Sequence, residues 1–350
     1  MKKFIILILF LLPCFSYGNI SLEAKIGQML IVGFEGIDVS ESDFILEGIK
    51  NHNLGGVTIE YNIKNPQQLK SLIDKLQHHA KTPLFIAIDH EGGNVCRLTE
   101  EKGFPPTVSA KTMGNHSSSY TLSQGTAMAK TLKSLGINLN FAPVVDIHAE
   151  GNFIAKKERC FSNDLNSIIE HAEAFINSHN NENIYSTLKH FPGHGSSTSD
   201  SHYGIADVSK TWTDKELTPY QYFIKENKVD CIMISHVFLK SLDPDFPASM
   251  SHKIITGQLR NKLGYQGVVI SDDIQMGALY NQYNLENILI HTINAGVDII
   301  LINNTQTYEE DIIPRAISIV KNAIKEGVIA EETINQAYSR ISKLKEKFLL

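Results

Sequence analysis

The chain has 350 residues, 42% of them hydrophobic and 20% charged, with a net charge of −6. These proportions are ordinary for a soluble globular protein, and the absence of a basic cluster argues against nucleic acid as the main partner. By length alone two domains are expected, but α/β barrels of this size often form a single one.

The first 18 residues read as a segment apart from the fold. Lys2-Lys3 form a basic start, Phe4 to Leu12 an apolar run, and Ser16-Tyr17-Gly18 a small-x-small site. That is the pattern of a secretory signal peptide cut after Gly18, which leaves 19–350 as one domain and makes the protein exported, to the periplasm. A retained anchor is the alternative, but the run is too short to span a bilayer, so no stable membrane insertion is expected. Pro13 directly before Cys14 does not suit a lipid-acceptor cysteine, so a lipoprotein is not expected. Cys96, Cys160 and Cys231 are too few and too scattered for a disulfide framework or a four-Cys zinc site. Cys231 opens an apolar run and reads as core, while a Cys96–Cys160 disulfide stays open.

From Met29 onward, short apolar runs alternate with longer amphipathic segments. The strand candidates are 29–34, 56–61, 84–89, 140–146, 186–190, 231–235, 268–272 and 299–303. Near-continuous apolar runs of this length suit parallel strands buried on both faces. Helices are expected over 40–50, 66–79, 122–135, 165–177, 214–226, 251–263, 285–294, 308–325 and 330–347. Pro66 after Asn65 is a favoured helix start, and Gly136, Gly264, Gly296 and Gly327 stand where C-caps belong. Eight strands alternating with helices predict a single (β/α)8 TIM-type barrel, with an open doubly wound sheet as the rival.

Polar groups recur where strand candidates end: Asp89, Asp146, Lys189-His190, Ser235-His236, Asp272 and Asn303. In a barrel those ends share one face, where active sites form. The densest stretch is Leu188 to His202, LKHFPGHGSSTSDSH. Gly193, Gly195 and Pro192 rule out an ordinary helix or central strand, so this stretch reads as a strand releasing a polar loop free to swing.

Asp272 at a strand mouth suits a nucleophile, a metal ligand or a cap, and Asp273 is the better cap. Asp200 and His202 are two apart, so the carboxylate can fix the imidazole tautomer and raise its basicity for proton transfer. The competing chemistry is zinc binding by His190, His194, His202 and His236 with Asp89 and Asp272. Lys189, Arg97 and Arg159 would repel a cation there, and there is no His-x-His pair at the end of the first strand, so no metal or other cofactor is expected. The two arginines are cationic forks suited to hydroxyls, carbonyls or carboxylates.

Together, Ile88-Asp-His-Glu-Gly-Gly, Asn140-Phe-Ala-Pro-Val-Val-Asp, Lys189-His-Phe-Pro-Gly-His-Gly, Asp200-Ser-His and Ser271-Asp-Asp-Ile-Gln-Met resemble glycoside hydrolase family 3. The likeness is to its bacterial β-N-acetylglucosaminidase (β-N-acetylhexosaminidase) branch, which trims muropeptides during peptidoglycan turnover. The resemblance implies that Asp272 is the nucleophile, His202 the general acid/base and Asp200 its dyad partner. It implies that Asp89, Arg97, Arg159, Lys189 and His190 hold the sugar's hydroxyls and N-acetyl group. Many members take a Glu acid/base from a second domain; none is expected here, so the loop His is expected to serve, in a monomer acting on a carbohydrate. Asn94 stands where the family usually has Arg, and Ser196-Ser197 replace a common Asp-Thr. An imidazole acid/base carries no negative charge when deprotonated, so phosphorolysis is the second enzymatic reading. A non-catalytic wall-binding module is the third; it would keep the sugar-holding Asp and Arg residues but lose the nucleophile or the dyad, and both are present in the sequence.

Overall fold

The computed structural model describes residues 20–40, 43–149, 151–199, 201 and 203–349. Eight strands form one sheet: β1 Leu30–Gly33, β2 Gly56–Ile59, β3 Phe85–Ile88, β4 Leu139–Asn140, β5 Tyr185–Phe191, β6 Cys231–Ile234, β7 Val268–Ser271 and β8 Ile300–Ile302. Successive strands pair in parallel from β1 to β7, and β8 pairs with β1 through Leu30↔Ile300. The last seam, between β7 and β8, is joined by the parallel bridge Ile270↔Ile299. The Asp298 and Ile299 N–H groups both donate to the Val269 carbonyl, at 2.9 and 3.0 Å, and the Ser271 N–H donates to Ile299 at 2.9 Å. The sheet therefore closes on itself, and the expected barrel, not the open doubly wound sheet, is what forms.

β1, β2, β3 and β7 are buried along their whole length, which is why they read as unbroken apolar runs. The fourth strand is shorter than 140–146 suggests. Its regular ladder ends at Asn140, and beyond it the pairing is irregular: the Phe141 N–H donates to the Ile88 carbonyl at 2.9 Å, the Thr187 N–H to Ala142 at 2.8 Å, and Val144 bridges Lys189, while Pro143 has no N–H to donate.

The helix Pro66–His79 starts as expected, with the Asn65 side chain accepting the Gln68 N–H at 2.9 Å. It buries Leu69, Leu72, Ile73 and Leu76. Gly136 and Gly296 close their helices at φ 87° and 109°. Several helices differ from expectation: the one expected over 122–135 begins at Ser118, 165–177 runs on to Asn180, and 214–226 divides into a 3-10 turn Asp214–Leu217 and a helix Thr218–Lys225. The helix expected over 40–50 begins at Phe44, not Ser40, because the Asp43 carboxylate turns back to accept the Ser40 N–H at 2.6 Å. The segment after Tyr308 becomes helical only at Ile312, since Glu309 first donates its N–H to Asn304 Oδ1 at 3.0 Å. Residues Lys253–Lys262 wind with π rather than α pitch. No helix among the described residues is long and apolar enough to cross a membrane.

Candidate active site

A cavity of about 330 Å³ opens at the C-terminal ends of the strands. Asp89, Arg97, Arg159, Lys189, His190 and Asp272 all line it. They come from four strand ends: Asp89 and Arg97 follow β3, Arg159 follows β4, Lys189 and His190 lie in β5, and Asp272 follows β7. Lys189 and His190 are consecutive, yet both face the cavity. Between Leu188 and Phe191, β5 carries one residue more than its partner β6, and such a bulge re-aims side chains.

The charged groups pair in a chain. Lys189 Nζ lies 2.7 Å from Asp89 Oδ1 and 2.6 Å from Glu91 Oε1. Arg159 grips Glu91 with both ends of its fork, at 2.8 and 2.7 Å, and its Nη2 donates to His190 Nε2 at 3.1 Å. Arg97 Nε donates to Glu60 Oε2 at 2.6 Å, and its Nη2 lies 3.7 Å from Asp89. Since a guanidinium only donates, His190 Nε2 must accept, so the ring proton sits on Nδ1 and is donated to Asp146 Oδ2 at 2.7 Å. Burial pushes the Asp89 carboxyl up, but Lys189 and Arg97 outweigh it and hold the group well below the usual carboxylate range. Burial likewise pulls Lys189 down, and Asp89 and Glu91 outweigh it upward. The cavity floor thus keeps its charges, because each ion has a partner within hydrogen-bond reach.

Asp272 follows β7, anchored by its own N–H on the Ile234 carbonyl at 2.9 Å. Its Oδ1 accepts the Asp273 N–H at 2.9 Å. Asp273 is not the helix cap it was expected to be. The helix Gly277–Tyr280 starts after Met276, and the buried Asp273 Oδ1 instead accepts the N–H groups of Gln275 at 3.2 Å and Asn303 at 3.0 Å. It ties the end of β7 to the end of β8, and burial pushes its carboxyl up to about 7.

Asp200 and His202, and with them any movement of that loop, lie outside the described residues, as do residues 1–18 with Cys14. The neighbours of His202 are described. Ser201 and Tyr203 both line the cavity, and Ser201 Oγ is 3.2 Å from His194 Nε2. Cys96, Cys160 and Cys231 are free thiols, so the Cys96–Cys160 disulfide is not formed. The groups weighed as zinc ligands do not gather among the described residues. His236 is turned beneath the mouth, bonded to Ser249 Oγ at 2.7 Å and the Asp273 carbonyl at 2.8 Å.

Residues 21–344 match the glycosyl hydrolase family 3 N terminal domain. The chain belongs to glycosyl hydrolase family 3. This family 3 barrel is 33% identical to a beta-hexosaminidase of Psychromonas ingrahamii over 303 residues, covering 85% of this chain and 86% of that one. It is 33% identical to beta-hexosaminidase A of Pseudoalteromonas piscicida, covering 86% of this chain but only 54% of that protein. Its fold matches a family 3 beta-N-acetylglucosaminidase from a Paenibacillus species at a TM-score of 0.85 and 30% identity, covering 94% of this chain and 62% of that one. A beta-N-acetylhexosaminidase from Beutenbergia cavernae matches at 0.85 and 26%, covering 94% and 99%.

Within the family 3 barrel, the row of polar strand ends splits into two groups. Asp89, Lys189, His190 and Asp272 reach the cavity, whereas Asp146, His236 and Asn303 sit below it as supports. From sequence, Glu60 and Glu91 had no site role, Asp146 stood only in the row of polar strand ends, and His194 was considered only as a zinc ligand. Glu60 stands next to last in the second strand candidate and Glu91 lies inside the Asp89-His-Glu motif, so both could have been added to the row. Asn94, the departure from the family pattern, lines the cavity and donates its amide to the Lys157 carbonyl at 3.1 Å.

Proposed function

We propose that this protein is a retaining β-N-acetylglucosaminidase that removes terminal β-linked N-acetylglucosamine, with peptidoglycan fragments as its substrates. One observation carries the reading. The Asp272 carboxylate faces the same cavity as the paired Asp89–Lys189 and Arg159–His190 groups, and the residues on both sides of His202 line that cavity too. The names of the hexosaminidase relatives support the substrate class.

The chemistry is a double displacement. Asp272 attacks the anomeric carbon, the bond to the leaving oxygen breaks, and His202 gives that oxygen its proton. Water then attacks the glycosyl-Asp272 ester, His202 takes the water's proton, and Asp272 leaves as carboxylate. Asp200 orients and charges the imidazole. Asp89 accepts from sugar hydroxyls, while Lys189, Arg97 and Arg159 donate to hydroxyls and the N-acetyl carbonyl, with His190 held beside them. Residues 1–18 direct export in this reading, and the protein acts in the periplasm as a monomer; an exported chain whose mass does not begin at Asn19 would contradict the cleavage site.

The test is turnover of aryl β-N-acetylglucosaminide and aryl β-glucoside by the purified protein, with Asp272→Ala as control. Turnover of the first, lost in Asp272→Ala, with the β-anomer formed first in proton NMR, supports the reading. No turnover, an active Asp272→Ala, or an inverted product overturns it. In phosphate buffer, sugar 1-phosphate instead of free sugar would replace hydrolysis by phosphorolysis.

A further inference from the structure

Glu216 is a buried carboxylate that the chemistry above does not use. It is 5% exposed, in the 3-10 turn Asp214–Leu217, directly under the turn that follows β5. Its Oε2 accepts the Gly195 N–H at 3.2 Å, and the Ser196 N–H is turned toward it as well. Its charged neighbour is another carboxylate, Asp146, and burial pushes it up to about 7. A carboxylate kept in such a place, where an apolar side chain would cost less, is held for its acceptor oxygens.

The turn is shaped around it. Gly193 has φ +124°, and a Cβ there would fall 2.3 Å from Glu216 Oε2 and 2.5 Å from its Cβ. Two carboxylates therefore grip adjacent backbone donors: Asp146 Oδ1 takes the His194 N–H at 2.8 Å, and Glu216 takes the next one. From His194 the path is short. Its Nε2 meets Ser201 Oγ at 3.2 Å, and the Ser201 carbonyl accepts the Ala278 N–H at 3.1 Å. Asp200 and His202 flank Ser201 in the chain.

We propose that Glu216 is a positioning residue: by holding the Gly195 N–H it sets His194 and, through Ser201, the loop that carries the Asp200–His202 pair. This rests on the reading of His202 as acid/base, so the test includes His202→Ala as a reference. A misplaced acid hurts most where the leaving group needs a proton, whereas general damage to the fold hurts all substrates alike. Phenyl and dinitrophenyl β-N-acetylglucosaminides are compared on the full chain.

Glu216→Ala is expected to lose about 10²-fold in kcat/KM on the phenyl substrate and less than about 10-fold on the dinitrophenyl one. Inhibition by N-acetylglucosamine, which reads the sugar-holding groups, should stay within about 2-fold, and Glu216→Gln, which keeps an acceptor oxygen, should return within about 3-fold of the parent. If Glu216→Ala does not accumulate folded, Glu216→Leu, which fills the space without an acceptor, takes its place. Equal losses on both leaving groups, or a Glu216→Gln as impaired as the alanine variant, overturn the proposal. If His202→Ala depends steeply on the leaving group and Glu216→Ala does not, this proposal alone fails; if His202→Ala shows no dependence, the acid role fails with it.

Discussion

Lys189, at the mouth of the barrel, is 2% exposed and lies between the Asp89 and Glu91 carboxylates. Lys345, at the opposite end, is 0% exposed and donates to Gln28 Oε1 at 2.8 Å, the Gly55 carbonyl at 2.9 Å and the Pro83 carbonyl at 2.7 Å. Its ammonium also sits 4.6 Å from the Phe85 ring centre. Burial pulls both lysines down. At Lys189 two anions outweigh it, whereas at Lys345 neutral dipoles do not, and the group falls to about 7. At the lower end the buried charges are taken up within the fold. Asp298 there is saturated in the same way, by Arg260 at 2.7 Å, Arg340 at 2.9 Å and the Val269 N–H at 2.8 Å. At the mouth, ions pair around an open cavity and keep oxygens and N–H groups turned toward it. Charges fixed by their partners, beside space for a ligand, are what binding a polyhydroxylated sugar and stabilising a developing charge require. Charges fully consumed by their partners hold a fold together.

The contrast can be broken in order of expected effect. Asp272→Ala should lower kcat on aryl N-acetylglucosaminide by about 10⁴-fold or more, while Lys345→Met should stay within about 3-fold of the parent. Comparable losses in both would erase the division between a working end and a structural one. Lys189→Met removes the cation between two carboxylates, leaving Glu91 to Arg159 and Asp89 to the more distant Arg97, and should cost about 3 kcal/mol of stability in urea unfolding.

The two lysines should also differ in their response to pH. Below about 7 Lys345 is protonated in folded and unfolded chains alike. Between there and the ordinary lysine value of about 10.4, only the unfolded chain holds the proton, so stability rises with pH by at most about 1.4 kcal/mol per unit. Lys345→Met should flatten that alkaline rise; Lys189→Met, whose lysine is held above its ordinary value, should not. The smallest effect is expected for Arg159→Lys. An ammonium cannot keep both bonds to Glu91 and the one to His190, so N-acetylglucosamine inhibition should weaken about 10-fold with the fold intact.

Much of this was visible along the chain. The eight apolar runs, the Asn65-Pro66 start and the Gly136 and Gly296 stops depend on neighbours within a turn or a strand, and all appear in the structure. Asp89, Arg97, Arg159, Lys189, His190 and Asp272 stood out by motif, and all line one cavity. What local pattern could not reveal was which strand-end groups face the cavity and which support it. Asp146 and Asp272 look alike in sequence, each ending an apolar run. Yet Asp146 is 2% exposed and committed to His190 and His194, while Asp272 reaches the cavity.

By itself the sequence determined the alternation of buried strands and amphipathic helices, since burial period and backbone preference are local properties. Only the tertiary structure decided the closure of the barrel, the pairing of Lys189 with Asp89 across 100 residues and of Arg159 with Glu91 across 68, and the lodging of Glu216 beneath Gly195. Partners so far apart are chosen by which groups lose water together when the chain closes, and no stretch of sequence contains that choice.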